Sequence, residues 1–453
     1  MARLNGFTKK QIIEVYRKMA LSRKLDDKML ILLKQGKSFF HIGASGHEAA
    51  QLAAAEVIKP GEDWSFPYYR DGAYCIGLGM TAREQLLSFL AKADDPNSGG
   101  RQMPQHYGHK DLRIVSQSSP TGTQFLQAVG CAMVCKMGKT KEVVYVSAGE
   151  GTTSQGDFHE ALNWASNSKA PVIFHIQDNE YAISTHRSEQ TASSIYDMTS
   201  GYGNLSRYDV DGTDFFETSL AFKEAVQRAR RNKGPTIIVS HVVRLLPHSS
   251  SDDQRKYRDE KSLNDDLKKD PLLILESTCT DAKFIKADEF AKIRMRVDKD
   301  VDSDSAWAEE QDFPESGTAM DHIYSSKGHP EESTFNPVAE KIVIVDAINH
   351  ALHEEMKLNE KMVVYGQDIA DPKGGVFTAT KGLSDKFGNG RVFNSPLAES
   401  SIVGTAVGMA VSGYKPVVEI QFGDYIWTAM MQIRNEVVTM RYRSNNDWVC
   451  PMV

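Results

Sequence analysis

Short apolar runs alternate with stretches of helical spacing along this chain, and that alternation limits its fold more than any other feature. "KEVVYVSAGEG" reads as a buried strand ending at Gly149, "SQGDFHEALNWASN" as a helix, and "PVIFHIQDNEY" as the next strand, running out at Asp178. "PTIIVSHVVRL" is a further strand, ending just before Pro247 and His248. Continuous apolar strands separated by helices predict a parallel sheet with helices on its faces, and ligands at the carboxyl ends of the strands. The expected class is therefore α/β. All three strand ends carry polar residues, and their coincidence weighs more than any one of them.

With 453 residues the chain has room for about three domains. A second α/β segment is predicted over 338–453: a helix in "KIVIVDAINHALHEEMKLN", a strand in "MVVYGQDI", then a small-residue helix and a buried strand in "AESSIVGTAVGMAVSGYKPVVEIQFGDY". Between it and residues 1–296 lies an acidic stretch, 297–337, poor in aliphatic residues, which reads as a linker that is partly helical or mobile. A formal charge of -7 argues against nucleic acid or an anionic membrane as the main partner. No apolar run approaches the roughly 20 residues of a membrane span. The amino-terminal stretch has no apolar core and carries acids early, which speaks against signal and transit peptides. Thr8 and Gln11 there predict a capping box. Five cysteines without framework spacing fit a reducing cytoplasm, and Cys131 and Cys135 read as buried thiols.

Gly149-Glu150-Gly151 and Asn179 are separated by one turn, one helix and one return strand. A right-handed crossover makes the two strand ends neighbours, so Glu150 and Asn179 can converge. A carboxylate, an amide oxygen and a freed backbone carbonyl, for which Tyr181 is the candidate, form a hard-oxygen site suited to Mg²⁺. The glycines let a diphosphate approach the backbone, and the following helix end favours its charge. On spacing alone, a plain turn accounts for the same residues equally well. "HALHEE", from His350 to Glu355, lacks the two-histidine spacing of a zinc helix and reads as a solvated face.

These residues resemble the thiamine diphosphate motif. "YYRDG", "SSPTGTQ", "NEYAIST" and "HSSSDDQRKYR" resemble, in order, segments of the α subunit of the thiamine-dependent decarboxylase component of 2-oxo acid dehydrogenase complexes, the branched-chain type above all. "SPLAESSIVGTAVGMAVSGYKPVVEIQFGDY" resembles the β subunit, normally a separate chain. The chain therefore resembles an α–β fusion with two thiamine diphosphate-binding domains, its β half cut short of a second catalytic histidine and a dimerisation domain. The resemblance implies oxidative decarboxylation of a 2-oxo acid through a cofactor ylide, with acyl transfer to the lipoyl group of an acyltransferase. The substrate expected is branched, with pyruvate or acetoin as alternatives, and so is an inactive cofactor-binding fragment. A transketolase or deoxyxylulose-phosphate synthase fits the loop order less well.

By the same resemblance Glu150, Asn179 and the carbonyl of Tyr181 hold Mg²⁺, while Tyr69 and Arg70 contact the diphosphate. Gly149, Gly151, Thr152, Ser119 and Thr121 line the cofactor, and Ser118, Pro120, Thr123 and Gln124 match a loop that binds K⁺ in relatives. Glu399 shares a proton with the aminopyrimidine ring, and as a desolvated carboxyl it is expected to have a raised pKa. Leu397, Gln421 and Tyr425 surround that ring, Tyr425 by stacking. His248 handles intermediates near the reactive carbon, and Ser249 matches a position phosphorylated in some relatives. Gln177 stands where relatives carry an arginine towards the diphosphate, which removes one positive charge. His41, His47 and Glu48 lie near the substrate channel and are assigned no metal. Since the cofactor in this family sits between subunits, at least a homodimer is expected.

Overall fold

The computed structural model describes residues 3–326 and 341–453. Helix α1 (Lys9–Lys34) opens on the expected box: the Gln11 amide donates to the Thr8 hydroxyl while the Gln11 side chain accepts from the Thr8 amide. Helix α2 (Glu48–Ala55) is buried along its whole length. Strand β1 (Trp64–Phe66), helix α3 (Thr123–Met137), strand β2 (Val144–Gly149), helix α4 (Gly156–Ser168) and strand β3 (Val172–Asp178) follow. Strand β4 (Ser206–Asp211), helix α5 (Phe215–Arg230) and strand β5 (Thr236–His241) complete the first sheet.

Its order is β1-β2-β3-β5-β4, and every pairing is parallel. Every residue of β3 is buried, as a strand covered on both faces must be. Tyr145, Ile173 and Ile238 point into the layer built by α1, α2 and α5. Val146, Phe174 and Ile237 point the other way, into the layer of α3 and α4. Removing such side chains from water stabilises the fold by about 1.5–3 kcal/mol each.

Helix α6 (Ala287–Glu309) corrects the expected linker boundary. The helix runs straight through Val297 and packs on α1, because Phe290, Val297, Val301 and Ala308 form one buried apolar stripe within an acidic sequence. Residues 327–340, which include the last part of the expected linker and its junction at 338, lie outside the described residues. Helix α7 (Ile344–Leu358), strand β6 (Met362–Gly366), strand β7 (Val392–Asn394), helix α8 (Glu399–Val411) and strand β8 (Lys415–Glu419) form the second unit. Its parallel sheet has the order β7-β6-β8. Expected to be buried, β8 is only partly covered: its Val417 and Val418 line an open groove against Ile348 and Leu352 of α7.

The two units meet where α8 crosses α3. A Cβ added to Gly130 would collide with the carbonyl oxygen of Thr405, and one added to Gly408 with that of Gln127. Only glycine allows backbones to approach so closely, which explains the small residues of "IVGTAVGMA". Ile402, Ala406 and Val407 of α8 thereby join the same core as Phe125 and Val129 of α3. Cys131 and Cys135 are free and buried in α3. Among the described residues no helix is long and apolar enough to cross a membrane.

Candidate active site

Strand β2 ends with Gly149 directly beside Gln177 of β3, so the two strand ends are neighbours as the crossover requires. Between β2 and α4 the chain makes a tight turn, Glu150–Ser154, and the α-helix begins only at Gly156. A cavity of about 340 Å³ opens at this carboxyl edge of the sheet. Tyr69, Arg70, Ser119, Thr121, Gly149, Glu150, Gly151, Thr152, Asn179, Tyr181 and His248 all line it. A Cβ at Gly151 would come within 2.5 Å of the Ala182 Cβ, so the turn can follow this path only with glycine there.

Glu150 is 3% exposed. Its Oε2 accepts from the Asn179 amide at 3.3 Å, whereas Oε1 is buried with no partner. Burial, reinforced by the neighbouring Asp178, pushes its carboxyl up to about 7. An orphaned buried carboxylate oxygen is costly unless a cation meets it, so Glu150 and the adjacent amide oxygen of Asn179 fit a small divalent ion. Asp178 is already matched: it pairs with Arg187, and His241 lies 3.5 Å away.

Arg70 is buried. Nη1 donates to the Gly43 carbonyl at 2.6 Å, and Nη2 to the His248 carbonyl at 3.2 Å. Its guanidinium lies 5.7 Å from the centre of the Tyr69 ring, and that ring meets His248 edge-on. Burial, then the charges of Arg70 and Arg244, depress the His248 imidazole to about 3, so it is neutral at physiological pH. Arg244 escaped the sequence reading. It donates to the Ile183 carbonyl at 3.1 Å and to the Tyr257 hydroxyl at 2.7 Å, and it is almost wholly buried. Its signal was a lone arginine at the end of an otherwise apolar run. Arg70 lines the cavity and suits a diphosphate, while Arg244 stands behind the wall, bonded to the lining residue Ile183.

Gln177 stands where the resemblance places an arginine of relatives. Its side chain does not line the cavity but enters a buried network: Oε1 accepts from His47 Nδ1 at 2.8 Å and from Gln51 at 2.9 Å, and Nε2 donates to Asp71 at 2.6 Å. Strand alternation is the reason, since Gln177 shares its face with His175 and turns away from Asp178. His47 in turn accepts from the Asn179 side-chain amide at 3.3 Å, which leaves the Asn179 oxygen to receive the Tyr181 amide. Of the other residues in that segment, His41 pairs with Asp26 and Glu48 with Arg23.

Ser119 is hydrogen-bonded to His106 at 2.7 Å. The flanking loop is committed elsewhere. Ser118 donates to the carboxylate of Glu436, and Thr123 donates to the same oxygen at 2.8 Å and to the Pro120 carbonyl at 3.4 Å. The Gln124 side chain accepts from the Gly122 amide at 3.0 Å and donates to the Ser147 carbonyl at 3.1 Å. Each of these three side chains thus already has a protein partner, and two of them are held by the second unit.

No residue of the second unit lines the cavity. Glu399 opens α8 and is only partly buried, with Gln367 donating to Oε1 at 3.3 Å and Thr428 to Oε2 at 3.0 Å. The full desolvation expected of it is absent in the single chain. Gln421 donates to Asp368 at 2.8 Å, Tyr425 is 46% exposed and Leu397 is 83% exposed. The structure thus gathers the first group of expected residues into one cavity and leaves the second group on a separate, open surface.

Residues 16–316 match the model of the dehydrogenase E1 component, and residues 340–448 that of the transketolase pyrimidine binding domain. The 2-oxoisovalerate dehydrogenase subunit alpha of Bacillus subtilis (strain 168) is 41% identical over 322 residues, 71% of this chain and 97% of that protein. The pyruvate dehydrogenase E1 component subunit alpha of Staphylococcus aureus (strain Mu50 / ATCC 700699) is 35% identical over 267 residues, 59% of this chain and 69% of the relative. Its counterpart in Bacillus subtilis (strain 168) is 30% identical over 341 residues, 75% of this chain and 89% of that protein. With a cation-ready cavity in one unit and a pyrimidine-binding unit joined to it, the chain belongs to the dehydrogenase E1 component family of thiamine diphosphate-dependent 2-oxo acid dehydrogenases, its α-like and β-like parts fused.

Proposed function

We propose that the chain carries out oxidative decarboxylation of a branched 2-oxo acid of the 2-oxoisovalerate type and passes the acyl group to the lipoyl group of an acyltransferase. The observation that carries this reading is the unpartnered oxygen of Glu150 inside a cavity lined by Arg70. The printed name of the 41% identical relative supports a branched substrate. Bound thiamine diphosphate supplies the electron sink that lets CO₂ leave. Glu150, Asn179 and the Tyr181 carbonyl hold Mg²⁺. Tyr69 and Arg70 hold the diphosphate, with Gly149, Gly151 and Thr152 giving it room and Ser119 and Thr121 bounding it. His248 is placed to exchange a proton beside the reacting carbon once a diphosphate offsets the charges of Arg70 and Arg244 that hold its imidazole down.

Glu399 holds a proton at the pyrimidine end, flanked by Leu397, Gln421 and Tyr425. In one copy these residues do not reach the cavity, so we propose an assembly of at least two copies in which one chain's 338–453 unit completes another's 1–296 unit. The exposed side chains of Leu397, at 83%, and Trp427, at 72%, support that reading. The test is dye reduction driven by 2-oxoisovalerate, with thiamine diphosphate and Mg²⁺ present, beside pyruvate and acetoin. Turnover of pyruvate or acetoin alone overturns the substrate, cofactor uptake without any turnover favours a binding fragment, and failure to take up cofactor overturns the whole reading.

A further inference from the structure

We infer that Glu436, held by Arg443, is a built-in latch that does for the Ser118–Gln124 loop what a bound monovalent cation would otherwise do. Glu436 is fully buried in the second unit. One carboxylate oxygen receives both loop hydroxyls, Ser118 and Thr123, and the other receives Arg443 Nη2 at 2.7 Å. Arg443 is itself anchored on the Asn435 carbonyl at 2.9 Å. One turn earlier on the same segment, Gln432 donates to the Thr123 carbonyl at 3.1 Å and to Asp157 at 2.8 Å. The second unit thus grips the loop carrying Ser119 and Thr121, which lines the cavity, and the start of α4, which follows the lining turn at 149–152.

The positive charge in this cluster is already present. Arg443 neutralises the carboxylate, and the side chains of Ser118, Thr123 and Gln124 all have protein partners. The loop hydroxyls are therefore already oriented by Glu436, beside a buried guanidinium that disfavours a second cation nearby, so the loop is held without potassium. Glu436 and Arg443 are therefore positioning residues: they touch no cofactor, and they act through Ser119 and Thr121. This inference rests on the cavity being the cofactor's diphosphate site.

The experiment measures thiamine diphosphate binding, with Mg²⁺, by quenching of tryptophan fluorescence in KCl and in choline chloride at equal ionic strength. Wild type is expected to bind equally in both salts, within threefold. Glu436→Gln is expected to weaken cofactor binding at least tenfold, with half-saturation raised but kcat at saturating cofactor retained. A merely structural residue would lower the melting temperature without that split. Should Glu436→Gln fail to fold, the exchange Thr123→Val tests the latch from the loop side and carries the same expectation. Potassium tightening wild-type binding more than threefold overturns the latch, as does wild-type affinity in whichever of these variants folds. Wild type that takes up no cofactor in either salt overturns the reading of the cavity instead.

Discussion

Gly408→Ala tests the crossing of α8 over α3. The added methyl would land on the Gln127 carbonyl oxygen, and ordinary contact there requires the helices to part by well over an ångström. Parting by that much forfeits about half or more of each dispersion contact across the seam. Overpacking a dense core costs about 1–3 kcal/mol, and because backbone rather than a flexible side chain blocks the way, the upper value of about 3 applies. Replacing glycine by alanine inside a helix returns about 1 kcal/mol, leaving a net loss of about 2 kcal/mol. Gly156→Ala is the control: nothing lies within 4 Å of its added Cβ, and as the first residue of α4 it keeps only a part of that interior gain. Urea unfolding followed by tryptophan fluorescence should separate the two variants by about 2–3 kcal/mol, that net loss plus the smaller gain at the helix end. Turnover of Gly408→Ala should fall as well, since Glu399 opens the displaced helix. If Gly408→Ala proves as stable as Gly156→Ala, close backbone approach is not what joins the units.

Glu150→Gln should abolish Mg²⁺-dependent cofactor uptake, seen as a loss of at least about 100-fold in affinity by calorimetry, because it removes the charge that meets the ion. Glu399→Gln should leave uptake within about threefold yet lower turnover at least 100-fold, a split that places the two acids at opposite ends of the cofactor. Arg70→Met should weaken cofactor binding about 10- to 100-fold, the range of one or two charge-assisted hydrogen bonds of about 1.5–3 kcal/mol. His175 is fully buried, and burial depresses its imidazole to about 3. Its folded pKa lies below the unfolded one, near 6.5, so protonation favours the unfolded chain and stability is lost as pH falls below about 6.5. Between pH 6.5 and 5 that loss is about 2 kcal/mol, and urea midpoints of His175→Gln should lack it.

Much of the cavity was legible because a strand end, a turn and a return strand fix backbone positions, and backbone positions bring Gly149, Glu150 and Asn179 together whatever surrounds them. Ser119, Thr121 and Tyr69 lie further off in sequence, and only the resemblance placed them. The network around Gln177 was not legible, because its partners His47, Gln51 and Asp71 lie more than 100 residues away in sequence. Glu436 left no signal at all: a glutamate 313 residues from Thr123 becomes its partner only through tertiary packing. The boundary at 297 failed for the opposite reason, since four apolar residues on one helix face outweigh an acidic composition.

The seam between α3 and α8 also fixes a ratio. Where the two parts are separate polypeptides, dilution can strip the acid-bearing part from the cavity-bearing one, and synthesis must be balanced between them. Here a peptide bond and a glycine-lined crossing set one of each per ribosome pass, so that in the proposed assembly only the meeting of whole copies is left for concentration to undo.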